Sequence, residues 1–258
     1  MHVERGRDGG HGRRRIVHGS QLDDVHLASA LVPEVGCDPH RQSCLAHAAW
    51  ADERHEPVLA EQLADAGEIG ALRQLTIVSR DPAAPPANYL INNGGIFRDM
   101  TIHDFDMARF LLGDFVEVAA SGHAFIDGVG EIGDIDTATV TLTTASGAVC
   151  TILNSRECAA GYDQRMEAFG PKGSLETGNL RSTGVQFNGA AGTGVAGPYL
   201  PFFLERYAQA YTNELDHFIF SIESGQAPKP SVLDGRGALV LADAADAAVQ
   251  QHTVVTLA

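Results

Sequence analysis

Gly94-Gly95-Ile96-Phe97-Arg98-Asp99-Met100-Thr101-Ile102-His103-Asp104-Phe105-Asp106-Met107-Ala108-Arg109-Phe110-Leu111 is the stretch on which the reading of this chain turns. Ile102, Phe105, Met107, Phe110 and Leu111 mostly recur at helical spacing and Gly113 supplies a stop, so Asp99 to Leu112 is expected to be a helix. Its polar density is high for a helix that only packs. On one continuous helix Asp99 and His103 stand four apart and share a face, which brings a carboxylate and an imidazole into one pocket. An imidazole, with an unperturbed pKa of about 6.5, accepts a proton near neutrality, and a neighbouring carboxylate orients it and stabilises its charged form. The same spacing also serves a plain intrahelical pair or an N-terminal charge, and the pattern alone leaves both readings open. Asp104 and Asp106 flank Phe105 and point away from His103, which argues against a compact metal site. No metal is expected. Arg109 and Asp106 are expected to pair or cap within the helix and its neighbours.

Ahead of this helix lies the strand-like run Leu72 to Ser79, then Asp81 to Asn88, where Pro82, Pro85 and Pro86 fix φ, remove backbone donors and predict an ordered irregular loop. Beyond it, Phe115 to Ser121 reads as a strand. Thr137 to Thr143 and Ala148 to Asn154 alternate around Ala145-Ser146-Gly147 as a hairpin. Met166 to Phe169 and Ser174 to Thr177 flank Gly170-Pro171-Lys172-Gly173 as another, and Val185 to Asn188 reads as a further short strand. Two long helical patterns close the chain: Phe202 to Ser224, ended by Gly225 and Pro228, and Asp234 to Gln251 with Asp234 as N-cap. A largely antiparallel sheet followed by helices, without regular β-α-β alternation, indicates an α+β domain.

Residues 1–55 differ in kind. They hold seven of the 11 histidines, no lysine, the arginine cluster Arg13 to Arg15 and little periodicity, so a poorly ordered or partly helical leader is expected there, with residues 56–258 as the folded domain. A short helix around Asp23 to Leu31 and a helical stretch from Pro57 to Ala66 are the regular elements expected before the first strand. The formal charge of −15 repels nucleic-acid phosphates and anionic lipid, and no basic stripe accompanies aromatic residues. No apolar run approaches the roughly 20 residues that span a bilayer, so a cytoplasmic protein without nucleic-acid or membrane partners is expected. Cys37, Cys44, Cys150 and Cys158 match no C-x-x-C or zinc spacing and read as reduced, unligated thiols, Cys150 as core.

The stretch from Gly94 to Leu111 resembles the signature of bacterial inositol 2-dehydrogenases in the Gfo/Idh/MocA superfamily. Other pieces resemble it in the same order: Gly67-Glu-Ile-Gly70, Ser79-Arg-Asp-Pro82, Asn154-Ser-Arg156, Gly161-Tyr-Asp-Gln-Arg165, Phe169-Gly-Pro-Lys-Gly173 and Arg206-Tyr-Ala-Gln-Ala-Tyr211. The resemblance implies an open, mainly antiparallel β-sheet with helices on one face, the other face serving homo-oligomer contacts. It also implies NAD-dependent oxidation of a secondary alcohol on a cyclitol or sugar. By resemblance His103 is the proton acceptor, Asp99 its acidic partner, and Tyr162 and Asp81 face the polyol. Read on their own, Tyr162 is equally a half-buried residue at a strand start, and Asp81 an Asx-turn acceptor before Pro82.

The resemblance implies a nucleotide-binding half as well, with G-x-G-x-x-G between a strand and a helix. The glycines of Gly6 to Gly12 follow no apolar strand and lead into no amphipathic helix, so no cofactor-binding residue is identified. The catalytic lysine of a Glu-Lys-Pro motif, also implied, has no counterpart: the lysines are Lys172 and Lys229, and His55-Glu56-Pro57 carries no amine. A truncated enzyme lacking its cofactor domain is expected, with a non-catalytic polyol-binding or oligomerisation module as the alternative.

Overall fold

The computed structural model describes residues 67–257. The expected leader, the start of the folded domain at residue 56, the helices at Asp23 to Leu31 and Pro57 to Ala66, and Cys37 and Cys44 lie outside the described residues.

Alternating apolar residues build the sheet. Strands β1 (Gln74–Arg80), β2 (Phe115–His123), β3 (Thr137–Thr144), β4 (Val149–Ser155), β5 (Asp163–Gly170), β6 (Gly173–Thr177) and, near the C-terminus, Val255–Thr256 form seven strands. Numbering β7 (Gln186–Gly189) and β8 (Gly192–Ala196) as a separate hairpin makes the last strand β9, and the sheet order is β6-β5-β1-β4-β3-β2-β9. β1 runs parallel to β4, and the other neighbouring pairs are antiparallel. The α+β class and the mainly antiparallel open sheet are thus as expected. The parallel pair arises because β1 enters the middle of the sheet, between β5 and β4, rather than closing a hairpin.

Among the described residues the α-helices are α1 (Ala87–Leu90), α2 (Ile96–Asp99), α3 (Thr101–Leu112), α4 (Phe203–Arg206), α5 (Ala208–Ser224) and α6 (Val232–Gln251). Leu75, Ile77, Val140, Leu142, Cys150 and Ile152, every second residue of their strands, bury one sheet face against Phe105, Met107 and Ala108 of α3 and Ala238, Leu241, Ala242 and Ala245 of α6. Small residues on α6 let it lie close to the strands, and each large aliphatic side chain buried there contributes about 1.5–3 kcal/mol. Along the same strands Thr139, Thr141, Thr143 and Thr151 alternate with the core residues and so point to the opposite face.

Strand ends shift by up to three residues from the sequence reading, and three features of the helices differ from it. The helix expected from Asp99 to Leu112 is interrupted at Met100 (φ −114°, ψ −60°), so Asp99 ends α2 and His103 belongs to α3. The helix expected from Phe202 to Ser224 is likewise divided at Tyr207 (φ −115°, ψ 18°) into α4 and α5. Asp234 is not the N-cap of α6: Ser231 takes that place and Asp234, three residues on, completes a capping box. The hairpins around Ala145-Ser146-Gly147 and Gly170-Pro171-Lys172-Gly173 form as read.

Candidate active site

Strand direction gathers the site. Because β1 is parallel to β4, the chain leaves both at the same sheet end, and the Asp81 amide donates to the Ser155 carbonyl at 2.9 Å. Because β5 is antiparallel to β1, its first residue Asp163 pairs with Arg80, which sets Tyr162 at that end too. The start of α3 is fastened above it, since the Thr101 hydroxyl donates to Asn154 Oδ1 at 2.8 Å. Asp81, Arg156 and Tyr162, from three strand ends, thereby come within electrostatic reach of one another or of Asp99, which in turn acts on His103.

Asp99 is the most heavily bonded of them. Its Oδ1 accepts from the Tyr89 hydroxyl at 2.5 Å, and its Oδ2 accepts from Asn93 Nδ2 at 3.0 Å and from Arg156 Nη1 at 2.7 Å. Among the described residues no hydrogen bond joins it to His103. The imidazole opens to solvent, yet the protein atoms crowding around it hold its pKa below the usual value, and the charge of Asp99 opposes that effect. Near neutrality His103 is therefore a neutral ring in the field of a fixed carboxylate.

Asp81 is half-buried. Burial pushes its carboxyl up to about 6, the Arg156 guanidinium pulls it down, and Asp99 adds repulsion. No side-chain bond of the Asx-turn kind holds it among the described residues. Tyr162 is half-buried just before β5, and burial, followed by the neighbouring Tyr207, lifts its phenol far above the usual range, so it stays protonated. Its ring packs edge-on against Tyr207 at 5.9 Å and Phe202 at 5.6 Å between centroids. Gly161 (φ 107°) permits this placement: a Cβ there would stand 3.1 Å from the carbonyl oxygens of Tyr199 and Leu200. The Tyr162 amide in turn donates to Leu200 O at 3.0 Å.

Beneath these groups lies a buried polar layer. Asn154 Nδ2 donates to Asp104 Oδ2 at 2.7 Å, and burial pushes the Asp104 carboxyl up to about 7. Gln164 Nε2 donates to Ser79 Oγ at 2.9 Å alongside it. Arg156, Tyr89, Asn154 and Asp104 carry no role in the sequence reading. The signal that could have found Arg156 and Asn154 is the run Asn154-Ser-Arg156, where polar side chains replace the apolar alternation at the end of β4. Arg109 pairs with Asp114 at 2.9 Å and donates to the Asp234 carbonyl at 3.0 Å, which keeps it at the helix end rather than in the site.

Residues 58–176 match the GFO/IDH/MocA C-terminal domain family. The inositol 2-dehydrogenase of Rhizobium meliloti is 48% identical over 197 residues, which are 75% of this chain and 59% of that protein. The crystal structure of a myo-inositol dehydrogenase from Corynebacterium glutamicum superimposes with a TM-score of 0.77 at 46% identity, covering 79% of this chain and 61% of that one. The scyllo-inositol dehydrogenase from Lactobacillus casei, solved with bound NAD(H) and scyllo-inositol, gives a TM-score of 0.71 at 28% identity, covering 80% of this chain and 62% of that one. The chain thus spans about three-fifths of the length of these relatives. On this family match and these likenesses, the chain carries the C-terminal domain of the GFO/IDH/MocA family.

Proposed function

We propose that this chain supplies the substrate side of an NAD-dependent dehydrogenase, accepting the proton of a secondary hydroxyl on inositol or a related cyclitol or sugar. The convergence of His103, Asp99, Asp81 and Tyr162 at one end of the sheet carries this reading. His103, neutral near pH 7, is the proton acceptor, and Asp99 offers the charge that favours imidazolium once the proton arrives. Asp81, mostly ionised above about 6, accepts a polyol hydroxyl, and the protonated Tyr162 donates to another. A buried hydroxyl without a partner costs about 1–3 kcal/mol, so this complementary pair favours a ring bearing several of them.

NAD enters only through the relatives. A pyrophosphate is ordinarily held at a glycine-rich turn between a strand and a helix N-terminus. Among the described residues the nearest counterpart, Gly94-Gly95 before α2, does not fit: Asp134 Oδ1 already accepts from the Ile96 amide at 3.0 Å and stands 3.3 Å from where a Gly95 Cβ would be. The groups available here serve the polyol and its proton.

Calorimetric titration with myo-inositol tests the reading. Binding in the millimolar range is expected, weakened about 3- to 10-fold in Asp81→Asn and Tyr162→Phe. Absence of heat and of any His103 chemical-shift change at saturating polyol would rule it out. A second reading, a polyol-binding or homo-oligomerising module without turnover, draws on the threonine-lined sheet face. Inositol-dependent NADH formation by the purified chain decides for the enzyme. Binding without turnover, with self-association lost in Thr141→Arg, decides for the module.

A further inference from the structure

A helix of one turn has little stability of its own. α2 is such a helix, and one guanidinium reaches the supports of both its ends. At the C-terminal end Arg156 Nη1 donates to Asp99 Oδ2 at 2.7 Å. At the N-terminal end Asp134, whose Oδ1 accepts from the Ile96 amide at 3.0 Å, places its Oδ2 3.6 Å from Arg156 Nη2. The Arg156 side chain is fully buried, and its own amide donates to the Asp136 carbonyl at 2.8 Å, which anchors the backbone that carries the guanidinium. Asp99 and His103 stand on either side of the break at Met100, and among the described residues they share no hydrogen bond.

We propose that Arg156 is a positioning residue that restrains Asp99 from pairing directly with His103, leaving the imidazole free to receive a proton. The inference rests on the reading of His103 as proton acceptor and adds how that acceptor is kept ready. Without Arg156 the carboxylate keeps only the bonds from Tyr89 and Asn93 and gains freedom to approach the ring, and an opposite charge within about 4–6 Å favours the protonated form. A ring already protonated takes no proton from an alcohol. The charge acting on His103 is that of Asp99; Asp81 from the end of β1 and Arg156 from the end of β4 act on each other, and Asp81 on Asp99.

NMR titration of the His103 ring in the full chain, assigned with His103→Gln, tests this. Arg156→Gln is expected to raise the midpoint by about one pH unit, and Arg156→Lys, which keeps one ion pair with Asp99, to reverse most of that rise. A folded Arg156→Gln protein with an unmoved or lowered midpoint overturns the proposal. Where that variant does not fold, Tyr89→Phe decides at an exposed position. Oδ2 stays held there, so an unchanged midpoint supports restraint by Arg156 and a rise overturns it. The titration requires neither polyol nor cofactor, so its outcome is separate from that of the inositol experiment.

Discussion

Asn154 donates its side-chain amide to Asp104 Oδ2 at 2.7 Å, and both side chains are cut off from solvent beneath the candidate site. The amide cannot turn, because its oxygen accepts from Thr101. Burial is the larger influence on Asp104 and raises its pKa from 3.8 to about 7, while the Asn154 bond opposes it. The folded chain therefore holds a proton that the unfolded chain releases, and stability falls as pH climbs from about 4 to about 7. Asp104→Asn is expected to remove that decline, a difference on the order of 2–4 kcal/mol between pH 4.5 and 7.5. Urea denaturation at both pH values measures it; an identical slope in parent and variant counts against the assignment.

Gly95 sits at φ 87° and ψ 168°, a region reserved for glycine, directly before α2. Gly95→Ala is expected to cost about 1–3 kcal/mol and to push Asp134 from the Ile96 amide. The thermal midpoint reports the cost. Loss of the Ile96 amide's protection from hydrogen exchange reports the displaced cap.

Ser231 and Asp234 bond reciprocally at the start of α6, with Leu233 N donating to Ser231 Oγ at 3.2 Å and Ser231 N to Asp234 Oδ2 at 2.7 Å. Ser231→Ala is expected to destabilise the domain by about 1 kcal/mol, with no change in the His103 titration. Chemical denaturation checks the first part and NMR the second.

Cys150 lies wholly within the core and burial raises its thiol pKa steeply, whereas Cys158 is partly accessible. Iodoacetamide is expected to label Cys158 in the native chain and Cys150 only after unfolding. Peptide mass spectrometry distinguishes the two, and equal native labelling would contradict the placement of β4.

Strands bounded by turn glycines were legible because their alternation is set by the pleat itself, as at Thr139-Val140-Thr141-Leu142. The order of those strands was not, since nothing within Gln74–Arg80 announces that it will lie beside β4 in parallel. His103 and Asp99 could be picked out by spacing, but the interruption at Met100 could not: the apolar residues around it continue the helical rhythm unbroken. Arg156 escaped because its partners, Asp99 and Asp134, are distant in sequence and meet it only after the sheet is assembled. Asp104, read from the sequence only as pointing away from His103, is buried against Asn154.

Met100 divides the segment that carries Asp99 from the one that carries His103. A rigid rod would lock carboxylate and imidazole at a single offset dictated by 3.6 residues per turn. Two separately anchored pieces can instead be adjusted independently, one through the loop that supplies Asp134 and the other through Asn154 and Thr101. Substitutions far from the ring that would hold the polyol can thus retune the proton acceptor without displacing it.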